Sequence, residues 1–316
     1  MRILITGATG FVGGHLAEAL LARGGVELFG LCRKTSWPPE SAHLAAHVPL
    51  LTSDLLDSSQ VAAIVAEARP NWVFHLAAYA HPGGSLHEPD LVWRTNLDGT
   101  RRLLSALSRA DKPRILFVST GLVYGNADGP CGEDHPLRPA TPYAASKAAA
   151  EMAAYQATRH PGLDVVCVRP FNHVGPRQTR GYVVPDFASQ IAAIEAGRQP
   201  PVVETGDLSS QRDLTDVRDM VRAYILLLEK GRTGEVYNCG AGSTVSMQDV
   251  LDRLVELAKV RVELRRRAEP RRAAETAVTR ADTAKLRRET GWKPQFPLDK
   301  TLSDTLNYWR TQPATD

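Results

Sequence analysis

The sequence predicts an α/β fold with a doubly wound parallel sheet and a smaller carboxy-terminal lobe. Short apolar runs alternate with longer amphipathic stretches over the first 170 residues, which is typical of strands joined by crossover helices. The runs are apolar on both faces, as expected for strands covered by helices on both sides. After residue 170 the alternation ends, and clusters of Gly, Pro and polar residues predict a differently built lobe.

The first part of the chain is predicted to supply most of the sheet. The predicted strands lie at residues 2–7, 26–32, 48–54, 72–78, 114–120 and 164–170. The predicted helices between them lie at residues 11–23, 57–68, 89–109 and 142–159. Each helix is long enough to carry the chain across the sheet in a right-handed crossover.

The second part is predicted to return once to the sheet. A helix at 216–230 and a strand at 235–239 rejoin it, after a helix near 185–197 that lies between loop-rich segments. Helices at 246–258 and 299–310 flank a basic, strand-like piece. The predicted division is a first domain at 1–171, rejoined by 212–240, and a lobe formed by 172–211 and 241–316.

Composition limits the partners and the location. The 316 residues carry a net charge of +3, and the arginines are spread out except for a cluster at 265–272, so nucleic-acid binding is not favoured. No leader pattern and no apolar run of membrane length are present, so no membrane partner is expected. The four cysteines are isolated and form no CxxC pair, which favours buried, reduced thiols and a cytoplasmic location. The histidine spacing predicts no metal site.

A glycine-rich turn follows the first predicted strand directly. Its three glycines recur every third residue between a strand and an amphipathic helix, a spacing that lets the backbone turn tightly and approach a pyrophosphate. The pattern predicts a dinucleotide cofactor on a Rossmann-like sheet. The predicted contacts are Gly7, Thr9, Gly10, Phe11, Val12 and Gly13.

The ends of the next three strands complete the predicted cofactor site. Arg33 and Lys34 occupy the place where an acidic residue would bind the ribose hydroxyls of NAD. A basic pair suits a 2′-phosphate, so NADP(H) is favoured and NAD(H) is the alternative. The remaining predicted contacts are Asp54 and Leu55 beside the adenine, and Leu76, Ala77 and Ala78 along the diphosphate and ribose.

A YxxxK pattern predicts the catalytic groups. Tyr143 and Lys147 stand four residues apart on a predicted helix, so both side chains project from one face. A nearby ammonium is expected to lower the pKa of the phenol, so that the tyrosine can exchange a proton with a hydroxyl or ketone. Lys147 is also predicted to hold the nicotinamide ribose. Thr120, at the end of the fifth strand, is predicted to bind the reacting oxygen.

Together these motifs resemble the extended short-chain dehydrogenase/reductase family. The resemblance rests on TGATGFVG, HLAA, Asn96 in NLDGT, ST-x-x-VYG and Tyr143-Ala-Ala-Ser-Lys147, and it covers essentially the whole chain. It implies a catalytic triad of Thr120, Tyr143 and Lys147. It also implies a homodimer formed through a four-helix bundle that includes the YxxxK helix.

The segments after residue 168 resemble the branch of this family that acts on GDP-linked sugars. RPFNHVGPR, GYVVPDF and the later QRDLTDVRD carry this resemblance. It implies that Asn172 contacts the sugar nucleotide, that Arg212 binds its diphosphate, and that Arg169 contacts the cofactor. RRAAE replaces the RPAE of relatives without its proline. The remaining implied substrate contacts are Arg177, Val184, Arg272 and Glu275.

The implied reaction is NAD(P)H-dependent reduction of the C4 ketone of a GDP-4-keto-6-deoxy-hexose. A 4,6-dehydratase needs acid and base side chains beside the 4-keto site. Family members with that activity carry such residues just after the catalytic threonine, where this chain has Gly121 and Leu122, which cannot move protons. A nucleotide-sugar 4-epimerase stays open, since the triad would serve it equally well. A non-catalytic NAD(P)-binding sensor is the alternative from another class, although sensors commonly lose the Tyr or Lys that this chain keeps.

Overall fold

The structure is a computed structural model and describes residues 1–80, 84–127, 129–267 and 278–313. Fourteen strands lie within these residues. In chain order they are β1 (Arg2–Thr6), β2 (Glu27–Cys32), β3 (Leu50–Thr52), β4 (Trp72–His75), β5 (Arg114–Val118), β6 (Asp164–Pro170), β7 (Asn172–Val174), β8 (Val202–Thr205), β9 (Gln211–Arg212), β10 (Leu214–Asp216), β11 (Val236–Cys239), β12 (Val245–Ser246), β13 (Glu263–Arg266) and β14 (Val278–Thr279).

The helices of the described residues match the predicted crossovers closely. They are α1 (Phe11–Arg23), α2 (Ser58–Ala68), α3 (Pro89–Trp93), α4 (Gly99–Ser108), α5 (Pro142–Arg159), α6 (Val183–Glu195), α7 (Val217–Lys230), α8 (Met247–Glu256), α9 (Ala284–Thr290) and α10 (Leu298–Thr311). The stretch predicted as one helix at 89–109 contains a π-helical turn at Arg94–Asp98 between α3 and α4. None of the helices described is long and apolar enough to cross a bilayer.

The main sheet is parallel and doubly wound, which confirms the predicted fold class. Its strand order is β11-β6-β5-β4-β1-β2-β3. Helices α1 and α7 pack on one face, and α2, α4 and α5 pack on the other. The connection reverses direction between β1 and β4, so the carboxyl ends of these two strands border the crevice where such sheets bind ligands.

The carboxy-terminal lobe has its own apolar core. Phe187 of α6, Leu251 of α8 and Leu302 of α10 belong to one buried cluster, and short strand pairs border it. The predicted return to the sheet occurs, because β11 pairs with β6. In contrast, Leu286 and Trp292, which the predicted division assigns to the lobe, pack in the core between α1 and α7. The exact boundaries of the division stay a prediction.

A buried carboxylate ties the lobe to the end of the sheet. Asp213 lies between β9 and β10 with no exposed surface. Its side chain accepts hydrogen bonds from the backbone N–H groups of Ala241 (2.7 Å), Gly242 (2.9 Å) and Ala281 (3.0 Å). Burial raises the pKa of Asp213, and these N–H donors oppose that rise by stabilising the charged form. One side chain therefore holds three chain segments together.

Replacing Asp213 with Ala is expected to destabilise the fold, because three buried N–H groups would lose their acceptor. The free energy of unfolding should fall by about 2–4 kcal/mol, since a buried unsatisfied polar group costs about 1–3 kcal/mol. Urea unfolding followed by circular dichroism measures this. The exposed Asp111 serves as a control: Asp111→Ala should change stability by less than about 0.5 kcal/mol. Equal effects of both substitutions would contradict the assigned role.

Candidate active site

The glycine-rich turn lies between β1 and α1, against the backbone of the segment that follows β4. Gly7 has a φ of +73°, and a Cβ there would lie 2.9 Å from the Ala77 nitrogen. A Cβ at Gly13 would lie only 2.4 Å from the Ala8 carbonyl oxygen. Both positions therefore require glycine for space, and Gly7 also for its backbone conformation.

This turn fits a dinucleotide diphosphate. Gly10 is the N-cap residue of α1, and no side chain caps that helix end. The first-turn N–H groups of Phe11, Val12 and Gly13 thus lie at the positive end of the helix dipole, beside backbone that has no Cβ. Thr9 lies within the turn itself, just ahead of the helix.

A chain of buried hydrogen bonds fixes the carboxyl ends of β1 and β4. The Ala77 N–H donates to Thr6 Oγ1 (3.1 Å), which lies 2.7 Å from His75 Nδ1. His75 Nε2 lies 2.9 Å from Thr100 Oγ1, whose hydroxyl donates to the Asn96 carbonyl. Because the Thr100 hydroxyl already donates to Asn96, it accepts a hydrogen bond from His75 Nε2, which therefore carries the ring proton. His75 Nδ1 then accepts a hydrogen bond from the Thr6 hydroxyl. Burial, followed by a nearby lysine, lowers the pKa of His75 to about 3, so the ring is neutral.

The end of β2 presents its basic pair to solvent. Arg33 and Lys34 are exposed, while the Lys34 carbonyl accepts hydrogen bonds from Cys32 Sγ and Thr52 Oγ1, both at 3.2 Å. The loop backbone is thus fixed and the two basic side chains lie free of the core. Next to it, Asp54 Oδ1 accepts the Leu56 N–H at 2.9 Å. Leu55, Leu76, Ala77 and Ala78 line the same edge of the sheet, after β3 and β4.

Tyr143 and Lys147 project together from the first turns of α5. Thr141 caps this helix by accepting the Ala144 N–H at 3.1 Å, and Pro142 occupies its first position. Both YxxxK side chains are buried, and Lys147 Nζ lies 4.6 Å from the centre of the Phe117 ring.

Burial dominates the proton affinities of this pair. It raises the pKa of Tyr143 to about 12, although a hydrogen bond with Thr120 lowers it. This is opposite to the direction predicted from the YxxxK pattern. Burial also lowers the pKa of Lys147 to about 8, and this drop is partly opposed by Cys167 and Glu151. At neutral pH the phenol therefore carries its proton, and the lysine is charged.

Asn96 supports α5, the helix that carries the YxxxK pair, and sequence reasoning missed this role. It lies buried in the π-helical turn. Its Oδ1 accepts the Tyr79 N–H at 2.7 Å, and its Nδ2 donates to Ser146 Oγ at 2.9 Å. Ser146 in turn donates to the Tyr143 carbonyl at 2.8 Å. The NLDGT motif identified Asn96 as distinctive, but nothing in the sequence indicated which groups it would join.

Thr120 follows the end of β5, and the space around the next residue, Gly121, is filled. Thr120 accepts the Leu122 N–H at 3.2 Å and begins a single 3-10 turn. A Cβ added at Gly121 would lie 2.9 Å from the Phe171 ring. Ser119 Oγ is buried and has no hydrogen-bond partner among the described residues. A side chain at position 121 thus has no room unless the aromatic ring moves.

Arg169 is buried, and its guanidinium binds other groups of the protein. Its guanidinium pairs with both carboxylate oxygens of Glu151. It also donates to Tyr124 Oη (2.7 Å) and to the Glu133 carbonyl (2.9 Å). Glu151 lies one helical turn after Lys147, so Arg169 fixes α5 next to the YxxxK pair. These contacts favour a structural role over the predicted cofactor contact.

The predicted substrate residues come from several parts of the lobe. Asn172 is exposed on β7, and Arg212 lies on β9, between β12 and β14. Val184 is buried in the lobe core, while Arg177 binds Glu18 of α1. Two further predicted residues, Arg272 and Glu275, lie outside the described residues.

Tyr182 lies near Tyr143, a proximity that the sequence did not predict. It precedes α6, is partly buried, and contributes to the raised pKa of Tyr143, because ionising both phenols would place two negative charges close together. Its hydroxyl donates to the Ala80 carbonyl at 3.3 Å. An aromatic residue in a loop gives no sequence signal of this kind, because the contact depends on how the lobe folds back over the sheet.

Comparison with known proteins agrees with this arrangement. A family model described as GDP-mannose 4,6 dehydratase matches residues 4–305. The chain belongs to the extended short-chain dehydrogenase/reductase family. It is 34% identical to GDP-6-deoxy-D-mannose reductase of Pseudomonas aeruginosa, over 98% of both chains. This confirms the predicted family.

Two solved structures also resemble the whole chain. RMD from Pseudomonas aeruginosa complexed with NADPH has a TM-score of 0.85 and 32% identity, covering 98% of this chain and 99% of that one. Thermus thermophilus UDP-glucose 4-epimerase in complex with NAD has a TM-score of 0.89, 32% identity and the same coverage. The relatives thus include both reductases and epimerases.

The pKa of Lys147 predicts an alkaline limit to activity. Because Lys147 is charged only below about pH 8, kcat/KM should fall about tenfold per pH unit above that value, since kcat/KM reports groups of the free enzyme. Steady-state rates between pH 6 and 10 measure this, and thermal unfolding at each pH separates inactivation from unfolding. Lys147→Arg, which stays charged, should have a lower kcat/KM that does not fall above pH 8. A flat wild-type profile up to pH 9.5 would contradict the account.

Proposed function

We propose that this protein reduces the C4 ketone of a GDP-4-keto-6-deoxy-hexose, using NAD(P)H. The observation that carries the proposal is the neighbourhood of Thr120: Gly121 and Leu122 follow it, and the Phe171 ring fills the space beside Gly121. No acid or base can act from these two positions, so the C5 deprotonation and C6 elimination of a dehydratase lack their groups. The similarity to GDP-6-deoxy-D-mannose reductase supports both a reductase activity and a GDP-sugar substrate.

The chain's own residues would act at the ketone oxygen. A bound nicotinamide would supply hydride to C4. Thr120 would donate a hydrogen bond that orients the carbonyl, and Tyr143 would deliver its proton to O4, which gives the alcohol. The raised pKa of Tyr143 suits this direction, because the phenol is protonated at neutral pH. Lys147, charged at the same pH, would stabilise the phenolate that remains and bind the nicotinamide ribose.

NADP(H) is the favoured cofactor. The exposed Arg33 and Lys34 follow β2, where a 2′-phosphate would lie. Relatives support either choice, since one solved structure contains NADPH and another contains NAD. The glycine turn and Asp54 would bind the rest of the dinucleotide in both cases.

The lobe would bind the nucleotide sugar. Arg212 suits a diphosphate, because a guanidinium forms paired, charge-assisted hydrogen bonds with phosphate oxygens. Asn172 is exposed on β7 and would contact the sugar nucleotide, and Arg272 and Glu275 are proposed to complete the nucleotide end. The first domain, with its returning segment, would then hold the cofactor opposite this lobe.

A homodimer through α5 accompanies this proposal. Met152 and Tyr155 expose large apolar surface on the outer side of α5, and Trp93 does so on α3. Adjacent exposed apolar side chains on two helices favour a helix-mediated contact. A four-helix bundle would form from this helix layer and its copy.

The proposed reaction is tested by supplying NADPH or NADH with GDP-4-keto-6-deoxy-mannose, generated in place by a dehydratase, and following the loss of reduced-cofactor absorbance. Loss in proportion to substrate supports the reductase. No loss, with conversion of UDP- or GDP-sugars at constant cofactor, would favour an epimerase or dehydratase. Cofactor binding with no conversion of any nucleotide sugar would favour a sensor.

Tyr143→Phe should reduce kcat by at least about 100-fold, because removal of the proton donor loses a general acid worth about 10²–10⁴. The affinity for NADPH, measured by fluorescence titration, should change by less than about threefold. Tyr308→Phe is the control, since Tyr308 lies on α10 and belongs to neither the proposed site nor the proposed dimer surface; it should leave kcat unchanged. Retained turnover in Tyr143→Phe would refute the assigned proton donor.

Replacing Arg33 and Lys34 together with Ala should change the cofactor preference. The KM for NADPH is expected to rise about 10- to 100-fold, because hydrogen bonds to charged groups contribute about 1.5–3 kcal/mol. The KM for NADH should stay within about twofold. Parallel steady-state assays with the two cofactors give the ratio. An unchanged ratio would show that these residues do not read the 2′-phosphate.

A further inference from the structure

The turn at 171–178, which carries Asn172, is attached to α1 by several contacts. The His173 ring stacks on the Phe11 ring, with 6.1 Å between centroids and 11° between planes. His15 Nε2 lies 2.9 Å from the Pro176 carbonyl oxygen. The proposed substrate turn thus lies directly against the helix whose amino terminus would hold the cofactor diphosphate.

Arg177 makes the strongest of these attachments. Its Nη1 and Nη2 donate to the two carboxylate oxygens of Glu18, at 2.7 and 2.6 Å. Nη2 also donates to His15 Nδ1 at 2.7 Å. The backbone of Arg177 has a φ of +73°, a conformation that an arginine adopts only when its surroundings impose it. The Arg177 side chain is mostly buried, with 11% of its surface exposed, and the Glu18 side chain is partly exposed, at 34%.

The protons in this network have fixed positions. His15 accepts from Arg177 at Nδ1, so it donates to Pro176 from Nε2. Burial, and then the charge of Arg177, lowers the pKa of His15 to about 4. Burial would raise the pKa of Glu18, but the hydrogen bonds and charge of Arg177 outweigh it and lower that pKa. Around neutral pH, His15 is therefore neutral and Glu18 is charged.

The same carboxylate reaches the loop beyond β2. Glu18 Oε1 lies 2.8 Å from His43 Nε2, and Arg177 Nη1 donates to Ser41 Oγ at 3.3 Å. Ser41 and His43 belong to the 3-10 segment Pro39–Ala46, which follows the basic pair at 33–34. One guanidinium therefore joins the substrate turn both to α1 and to the segment that follows the basic pair.

We propose that Arg177 is a positioning residue that links cofactor binding to nucleotide-sugar binding, by locking the 171–178 turn onto α1 through Glu18. The inference rests on the proposed function for the identity of its ligands. It differs from the sequence-based prediction for Arg177, in which the guanidinium contacts the substrate directly. The guanidinium donates hydrogen bonds to Glu18 and His15 of α1 and to Ser41 of the Pro39–Ala46 segment.

The test measures the affinity for GDP by calorimetry with and without saturating NADPH. Wild-type protein should bind GDP about fivefold or more tightly when NADPH is present, the lower end of usual couplings. Arg177→Gly removes the guanidinium and suits the positive φ, while Glu18→Gln removes the opposite charge. In each variant, the GDP affinity with NADPH should exceed the affinity without NADPH by less than about twofold. The double variant should lower this ratio of affinities no further than either single variant does.

Steady-state kinetics give a second readout. Both variants should raise the KM for the nucleotide sugar at least about fivefold, with kcat and the NADPH affinity within about threefold of wild type. An exposed ion pair in the lobe, Arg253 with Asp299, provides the control. Arg253→Ala and Asp299→Asn should leave the GDP ratio and both KM values unchanged.

Three results would overturn the proposal. The first is a wild-type GDP affinity that does not depend on NADPH. The second is an unaltered ratio in Glu18→Gln. The third is an Arg177→Gly defect of equal size with and without NADPH, which would indicate direct contact with the ligand.

Absence of GDP binding to the wild type would instead refute the GDP part of the proposed function. The positioning role is then decided by amide hydrogen exchange of residues 171–178. Cofactor binding should slow this exchange in wild type and not in Arg177→Gly; equal slowing in both proteins would overturn it.

Discussion

Thr6 and His75 lie side by side at the carboxyl ends of β1 and β4, and the hydrogen bond between them fixes the two strand ends that border the proposed cofactor site. The bond is part of a directed chain that runs from the Ala77 N–H through His75 to Thr100 on α4. With the strand ends fixed in this way, Gly7 can approach the Ala77 backbone at a distance that no side chain would allow. The space for a dinucleotide follows from this close approach.

Burial determines the chemistry that the crevice can support. Tyr143 and Lys147 are both withdrawn from solvent, which disfavours the charged form of each. Burial thus keeps the phenol protonated and brings the pKa of the lysine near the physiological range. A tyrosine in this state is prepared to give a proton rather than to take one, in accord with a reduction. Position 121 has no room for an acid or base side chain, because the Phe171 ring fills the space beside Gly121.

Much of this could be predicted from the sequence, because local patterns determine it. The glycine spacing, the YxxxK pair and the apolar runs each depend on a few adjacent residues, and the sheet and its helices formed where they were expected. Roles that depend on distant partners were harder to predict. Arg169 and Arg177 are similar residues in one motif, yet the first pairs with Glu151 on α5 and the second with Glu18 on α1. Neither carboxylate is near its arginine in sequence, so only the folded chain reveals the pairs.

Net transfer of hydride to C4 of a sugar nucleotide distinguishes the proposed reduction from epimerisation and dehydration. A single-turnover reaction with NADPH deuterated at the transferred position, followed by NMR of the sugar, measures this transfer. We expect one deuterium at C4 of the product, no deuterium elsewhere on the sugar, and one oxidised cofactor for each molecule converted. Conversion of the sugar with all deuterium still on the reduced cofactor would show that the cofactor does not reduce C4.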